Sequence, residues 1–421
     1  MAVHGPIVHH RHNTNPNMST MSTLFEAVEL APRDPILGLN EQFAADERAN
    51  KVNLGVGVYY DDDGRVPLLQ CVHLAETRRI QAAGPHGYLP IDGLAGFNQA
   101  TRAMILGKHH EALSSDRAFT VQSVGGTGAL KIGADYLKQL LPQARVAIST
   151  PSWENHRALF ESAGFDVVQY PYYDPKTRAL DITGMLGGLE SLEAGSIVVL
   201  HACCHNPTGV DPTEGQWQAI AEVIKRKGHV PFLDMAYQGF GDGLAQDAWA
   251  VRHFVDQGLQ CFISTSFSKS FSLYGERIGA LTVVTQSSDE AKRVLSQVKR
   301  VIRTNYSNPP TFGGAVVAEV LNNDDLFALW EQELEQMRAR IKLMRQTLVD
   351  KLKAAGVTES FAFVLEQKGM FSYSGLSADQ VQQLRQEHGV YAVSSGRICV
   401  AALNSRNIDA VAQAIAAVLK D

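Results

Sequence analysis

A lysine set among serines and phenylalanines, in the run CFISTSFSKSFSLYGER, is the residue whose chemistry most needs an account. Lys269 has no acidic neighbour within six residues on either side, and lysines are rarely placed in apolar surroundings unless paired or used covalently. To act as a nucleophile its amine must shed a proton from an ordinary pKa of about 10.4, and an uncharged environment or a nearby cation lowers that value. The same run carries Ser266 and Ser268 just before the lysine and Arg277 eight residues beyond it. Upstream, Gly125, Gly126 and Thr127 open a helical pattern, where free N–H groups and the helix dipole favour a phosphate. Other apolar runs end on Trp153 (after RVAIST), Asn206 (after SIVVLHACCH), and Asp234 with Tyr237 three on (after HVPFL).

Each of these alone has a plain reading. A glycine-rich helix start is ordinary turn chemistry, and this one fits neither the nucleotide P-loop nor the dinucleotide fingerprint. An aspartate at a strand end caps a helix, and Trp153 or Tyr237 would serve as core or rim aromatics. The combination asks for a ligand with a phosphate, a carbonyl for the lysine and a ring nitrogen for the aspartate, and pyridoxal phosphate has all three. Arg277, Ser266, Ser268 and the amides of Gly125, Gly126 and Thr127 would take the phosphate, and Lys269 would bond to the aldehyde. Trp153 would stack on the ring. Asp234 would keep the ring nitrogen protonated so that the ring accepts electrons from the substrate, with Asn206 and Tyr237 left for the ring hydroxyl.

The stretch HACCHNPTG, His201 to Gly209, offers a competing reading as a metal or redox site. Metal-binding cysteines are usually two to four residues apart, whereas Cys203 and Cys204 are adjacent. SIVVLHACC reads as a strand through both cysteines, so their thiols diverge to opposite faces and pack as buried-strand cysteines. On that expectation no metal site is assigned, and the payload of the stretch is Asn206.

These residues need a scaffold that gathers strand ends. From about residue 119 to 285 short apolar runs alternate with helical patterns, as in a mostly parallel sheet flanked by helices. Ligands collect at the carboxyl ends of such strands. GALKIGADYLKQLL puts Leu130, Ala134, Leu137 and Leu141 on one helix face, and Thr213 with Gln216 forms a capping box for the helix QWQAIAEVIKRK. LFALWEQELEQMRARIKLMRQTLVDKLKAAG is one long amphipathic helix, with Trp330, Leu334, Met337, Ile341, Met344, Leu348 and Leu352 on a single stripe. Its length suits a spine joining a large and a small α/β domain.

The 421 residues are 45% hydrophobic, enough for two cores, and 38 basic against 44 acidic side chains give a net charge of −6. That balance favours neither nucleic acid nor an anionic membrane, and no apolar run approaches the length of a membrane span. Five scattered cysteines make no disulfide framework and suit a reducing, cytoplasmic setting. The N-terminal stretch reads as a disordered extension whose His4, His9, His10 and His12 carry no assigned function, with Met18 and Met21 as alternative starts.

SFSKSFSLYGERIG, LDMAYQGF, CCHNPTG, GGTGALK, PSWENH, NYSNPP and SSGRICVA together resemble the class I aminotransferases of the aspartate and aromatic amino-acid group, from about Leu24 to the C-terminus. The resemblance implies pyridoxal-phosphate fold type I, an α/β architecture with the extension at 1–23, a small domain from 24–66 plus 337–421, and a large cofactor-binding domain at 67–336. It also implies a homodimer with shared active sites, whose partners are small-molecule amino acids and 2-oxo acids. Arg397 resembles the anchor of the substrate α-carboxylate, a bidentate task for which lysine is a poor substitute. Arg303 resembles an arginine that reaches into the neighbouring subunit's site to meet a side-chain carboxylate. Tyr88 resembles a tyrosine crossing that interface to the cofactor phosphate, with Ser307 nearby. Gly57 resembles a flexible segment over the substrate, Phe371 a wall of the site, and His156 a partner of Asp234. The implied reaction is ping-pong transamination, with the amine of Lys269 moving the proton from the substrate Cα.

On substrate the motifs divide. Arg303 favours aspartate, glutamate and their keto acids, and Thr127 and Asn308 resemble the aspartate branch. FSLYGER, GMFSYSGLS and Tyr60 resemble the aromatic branch. The expectation is an aromatic-amino-acid aminotransferase using 2-oxoglutarate and also active on aspartate, with a dedicated aspartate aminotransferase as the alternative.

Overall fold

A computed structural model of the chain describes residues 23–31 and 35–420. The expectations for His4, His9, His10, His12, Met18 and Met21 therefore lie outside the described residues.

Seven strands form the central sheet: β1 (Ala118–Val124), β2 (Val146–Thr150), β3 (Val167–Pro171), β4 (Ile197–His201), β5 (Val230–Met235), β6 (Cys261–Ser266) and β7 (Ile278–Val284), in spatial order β1-β7-β6-β5-β4-β2-β3. All run parallel except β7, which is antiparallel to both β1 and β6. The apolar strands are continuous rather than alternating because helices cover both faces. In β4, Ile197 and Val199 enter one core while Val198 and Leu200 enter the other, as a two-residue side-chain period requires. Helix α1 (Gly125–Leu140) lies on β7, β6 and β1. It approaches closely at Gly133, where a Cβ would stand 2.5 Å from Phe232 Cζ.

Helix α2 (Glu214–Lys227) opens with the expected capping box, Gln216 N–H to Thr213 Oγ1 at 3.3 Å and Thr213 N–H to Gln216 Oε1 at 2.8 Å. Helix α3 (Ser288–Asn305) ends at the residues around Arg303. Helix α4 (Asp324–Ala354) starts at an Asn323 cap and buries the expected stripe from Trp330 to Leu352. Its N-terminal half packs on the helices Gln70–Ala82 and Phe312–Leu321, and its C-terminal half on Ile408–Val418. Two side chains tie it to the site. Trp330 Nε1 donates to Ser270 O at 2.7 Å, beside Lys269, and buried Arg345 donates to Phe371 O at 2.6 Å and Gly369 O at 2.8 Å. Phe371 belongs to β8 (Phe371–Tyr373), which pairs antiparallel with β9 (Arg397–Cys399). Among the described residues no helix is long and apolar enough to cross a membrane.

One local expectation fails. Strand β4 stops at His201, so Cys203 and Cys204 lie past it. Cys204 takes a left-handed backbone, φ 50°, which cancels the alternation of a strand. The two thiols converge instead of diverging, each within 4.8 Å of the other and of a carboxylate oxygen of Asp247.

Candidate active site

The carboxyl ends of β2, β4, β5 and β6, the start of α1 and the β8–β9 pair enclose a cavity of about 240 Å³. Its walls include Gly57, Gly126, Thr127, Trp153, Asn206, Asp234, Tyr237, Ser266, Ser268, Lys269, Arg277, Phe371 and Arg397. Most of the residues singled out in the sequence therefore share one space, although they come from positions far apart in the chain.

One wall suits an anion. The first turn of α1 has no acidic residue, and its Gly126 and Thr127 line the cavity together with Ser266, Ser268 and Arg277, as suits an anion at a helix N-terminus. Arg277 donates to Ser268 Oγ at 3.2 Å and to Tyr274 O at 3.1 Å. Gly125 lies behind this wall. It holds Arg277 O through its N–H at 2.9 Å with φ 69°, and a Cβ there would stand 2.4 Å from Arg277 Nη2. Only glycine fits that approach.

A rung of the sheet supplies the next wall. His201, Asp234 and Ser264 are register partners on β4, β5 and β6, so their side chains stand on one face. Asp234 Oδ1 accepts from Ser264 Oγ at 2.8 Å, and Oδ2 lies 2.8 Å from His156 Nε2. Burial alone would raise the Asp234 pKa, but the hydrogen bond and charge of His156, with His201 and Ser264, hold it below the ordinary carboxylate value. The chain continues from His156 Nδ1 to Ser152 Oγ at 2.9 Å and on to His201 Nε2 at 3.2 Å. Burial pushes His201 and His205 well below the ordinary histidine pKa. The His201 ring is 4.2 Å from that of His205, which stacks on Tyr172 at 3.9 Å.

Lys269 stands at the turn after β6, its Nζ 5.2 Å from the Tyr237 ring centre. It forms no ion pair among the described residues. Burial, against the pull of Asp234 and with help from Arg277, pushes its pKa down to about 8. Arg397, fully buried, donates from Nη1 to Asn206 Oδ1 at 3.1 Å and from Nη2 to Gly55 O at 2.7 Å. Its Nε has no partner among the described residues, and its guanidinium lies 4.3 Å over the Phe371 ring. Gly57 lets the chain pass this ring, since a Cβ there would be 2.8 Å from Phe371 Cζ.

Tyr88, Arg303 and Ser307 are not in this cavity. They line a separate surface hollow with Leu89, Ile91, Tyr306 and Asn308, Arg303 donating to Ser307 Oγ and Tyr88 being 95% exposed. Conversely, Ile36, Leu130, His201, Cys203 and Ala236 line the main cavity without having been singled out as site residues. For His201 a signal existed, since it ends the strand adjacent to the one that carries Asp234.

The arrangement fits pyridoxal phosphate on its own geometry. An anion cradle, a half-buried amine and a buried carboxylate face one cavity, and among the described residues the amine has no ion-pair partner and a buried guanidinium Nε has no hydrogen-bond partner.

A family model described as aminotransferase class I and II matches residues 49–415. The aspartate aminotransferase of Pseudomonas aeruginosa is 62% identical over 397 residues, covering 94% of this chain and 100% of that protein. The aromatic-amino-acid aminotransferase of Escherichia coli K12 is 50% identical over 399 residues, covering 94% and 100%. The crystal structure of an aromatic-amino-acid aminotransferase from Burkholderia pseudomallei, covalently bound to pyridoxal phosphate, superposes with a TM-score of 0.93 at 62% identity, covering 94% of this chain and 100% of that one.

Proposed function

The chain belongs to the class I and II aminotransferases and is thus a pyridoxal-phosphate enzyme of α/β fold type I, and we propose that it transfers amino groups from tyrosine, phenylalanine and aspartate to 2-oxoglutarate. The observation that carries this reading is the half-buried Lys269, without an ion-pair partner among the described residues and facing a cavity it shares with Asp234 and Arg397, where desolvation lowers its pKa to about 8. Relatives named for aspartate and for aromatic amino acids stand at the same 62% identity, which supports a pocket that takes both. Phe371 and Tyr237, 5.8 Å apart edge to face, give it an apolar wall.

Arg277, Ser266, Ser268 and the N–H groups of Gly126 and Thr127 would hold the phosphate. Asp234, kept ionised by His156 and Ser264, would hold the proton on the ring nitrogen. Asn206 and Tyr237 would bind the ring hydroxyl, and Trp153 would cover the ring. When bound, pyridoxal phosphate supplies the electron sink that side chains lack. Arg397 fixes the substrate α-carboxylate, so that Cα sits within reach of Lys269. The Lys269 amine, uncharged at mildly alkaline pH, would take the proton from Cα and hold it for return to the cofactor side of the substrate nitrogen. Closure by the Gly57 segment would exclude water.

The homodimer is part of the same proposal. Tyr88 and Arg303 would enter the site of a second copy, where Arg303 meets the side-chain carboxylate of aspartate. Their exposure supports this, as does the exposed apolar segment with Leu24, Phe25, Val28 and Leu30. A cytoplasmic location suits five cysteines that are all free and buried.

The test is the visible absorption of the purified enzyme as phenylalanine or, separately, aspartate is added without a keto acid. Bleaching of the bound-cofactor band by both is expected, and bleaching by aspartate alone would leave a dedicated aspartate aminotransferase. No band, even after adding pyridoxal phosphate, would remove Lys269 from its role.

A further inference from the structure

The turn that delivers Asn206 also borders a second cavity, through Cys203. Past the end of β4 the left-handed backbone at Cys204 folds its side chain back, and Cys203 Sγ, Cys204 Sγ and an Asp247 carboxylate oxygen all come within 4.8 Å of one another. We propose that Cys203, Cys204 and Asp247 form a binding site for one thiophilic divalent cation of the zinc and cadmium class.

The spacing fits the chemistry. Two thiolates on a tetrahedral zinc ion, at metal–sulfur distances of about 2.3 Å, stand roughly 3.8 Å apart, so closure needs only side-chain adjustment. Asp247 is held in place for the task. Its Oδ2 accepts from the N–H groups of Gly239 and Gly241 at 2.8 and 2.9 Å, and Oδ1 accepts from Asp242 N–H at 2.9 Å. Three of its roughly four lone-pair positions are used, which leaves one for a metal. Soft sulfur donors select zinc and cadmium over magnesium or calcium.

An entry path exists. A cavity of about 210 Å³, distinct from the substrate cavity, is lined by Cys203 and Asp247 together with Asp211, Asp242, Glu214 and Lys368. Its acidic lining draws a cation inward, and Lys368 offsets the charge left by two thiolates and a carboxylate. Binding breaks two S–H bonds, forms two metal–sulfur bonds and releases two protons, and water from this cavity fills the fourth position. The ion would join the turn that carries Asn206 to the loop of Gly239 to Asp247. Cys203 also lines the substrate cavity, and Asp211 holds the intervening backbone by accepting from the N–H groups of Cys204 and His205 at 2.7 and 2.8 Å.

The experiment is a titration of the cofactor-loaded protein with cadmium chloride, with a thiol-free reductant present, followed in the ultraviolet. The expected result is a thiolate-to-cadmium charge-transfer band saturating at one ion per chain, with an upward shift in Tm. Both are lost in Cys203→Ser and in Cys204→Ser. Cadmium uptake with no thiolate band, or a band that survives in both variants, overturns the site. Anomalous diffraction from crystals of the unsubstituted holoenzyme grown with cadmium gives the answer without any variant. A peak bonded to both sulfurs and Asp247 is expected, and peaks only elsewhere, at Cys71, Cys261, Cys399 or histidines, overturn the proposal.

Discussion

His156 Nε2 lies 2.8 Å from Asp234 Oδ2, and neither side chain is open to bulk water. The pair fixes where a negative charge sits at the floor of the cavity, and Ser264 on the next strand completes its hydrogen bonding. Replacing Asp234 by Ala removes that charge from the place where a protonated ring nitrogen would need it. A fixed group of this kind is typically worth about 100-fold or more in rate. Steady-state assays of Asp234→Ala should therefore show kcat down by at least about 100-fold, and unchanged kcat would contradict the role.

Lys269→Ala tests the other half of the chemistry. The anion cradle of α1, Ser266, Ser268 and Arg277 does not involve the amine, so the variant should still take up pyridoxal phosphate, without a covalent bond. Turnover should fall to background, because among the described residues no other lysine lines the cavity. Dialysis followed by absorption measures the first outcome and keto-acid formation the second. Activity near that of the unsubstituted enzyme would sink the assignment.

The Lys269 amine has a pKa near 8 in the folded chain without cofactor, against 10.5 for a free lysine. Between those values the unfolded chain binds more protons than the folded one, so the stability of the cofactor-free protein gains a contribution that grows as pH rises from about 8 to 10.5. Capture of pyridoxal phosphate by the cofactor-free protein should likewise speed up with pH through a midpoint near 8. Stopped-flow absorption across pH 7 to 10 would report it, and a rate still climbing tenfold per unit above pH 9 would show that the amine is not desolvated.

The parts of the site that were legible in the sequence are those set by regular structure. Asp234 and Lys269 follow apolar strands, and the helix start at Gly125 follows β1, so the rule for strand ends gathers them. The stripe from Trp330 to Leu352 shows that α4 is a long buried spine, but Arg345, which lies on that stripe and is fully buried, reads as a surface charge. Only the tertiary structure brings the carbonyls of Val364, Gly369 and Phe371 to it. The cysteines were misread for a local reason. Periodicity cannot announce a left-handed residue in a turn, and one such residue at Cys204 reverses the geometry of the pair. Arg397 stands nearly 130 residues from Lys269, and no pattern in the sequence joins them; its assignment came from the resemblance.

Arg397→Lys should raise KM for phenylalanine and aspartate alike, because the α-carboxylate is common to both. The guanidinium is planar, with two nitrogens committed to Asn206 and Gly55 and Nε without a partner among the described residues, and a lysine cannot satisfy those carbonyls while binding a carboxylate bidentately. Loss of one charge-assisted bond is worth about 1.5–3 kcal/mol, or roughly 10- to 150-fold. A rise in KM confined to one substrate would place the α-carboxylate elsewhere.

Arg303 separates the two substrates and the two subunits at once. It sits in a surface hollow outside the cavity of its own chain, and in the proposed homodimer it would reach the substrate of a second copy. Arg303→Ala should raise KM for aspartate while leaving phenylalanine nearly unchanged, since only aspartate carries a second carboxylate. Mixing Lys269→Ala chains with Arg303→Ala chains then gives a decisive reading. In a mixed dimer the site holding the intact Lys269 receives its arginine from the lysine-less partner, and so is whole. Aspartate turnover at low substrate should therefore rise above that of either variant alone once subunits have exchanged. If Arg303 served its own chain, every mixed site would lack one residue or the other. The mixture would then show no gain, and both the shared site and the dimer that supplies it would have to be given up.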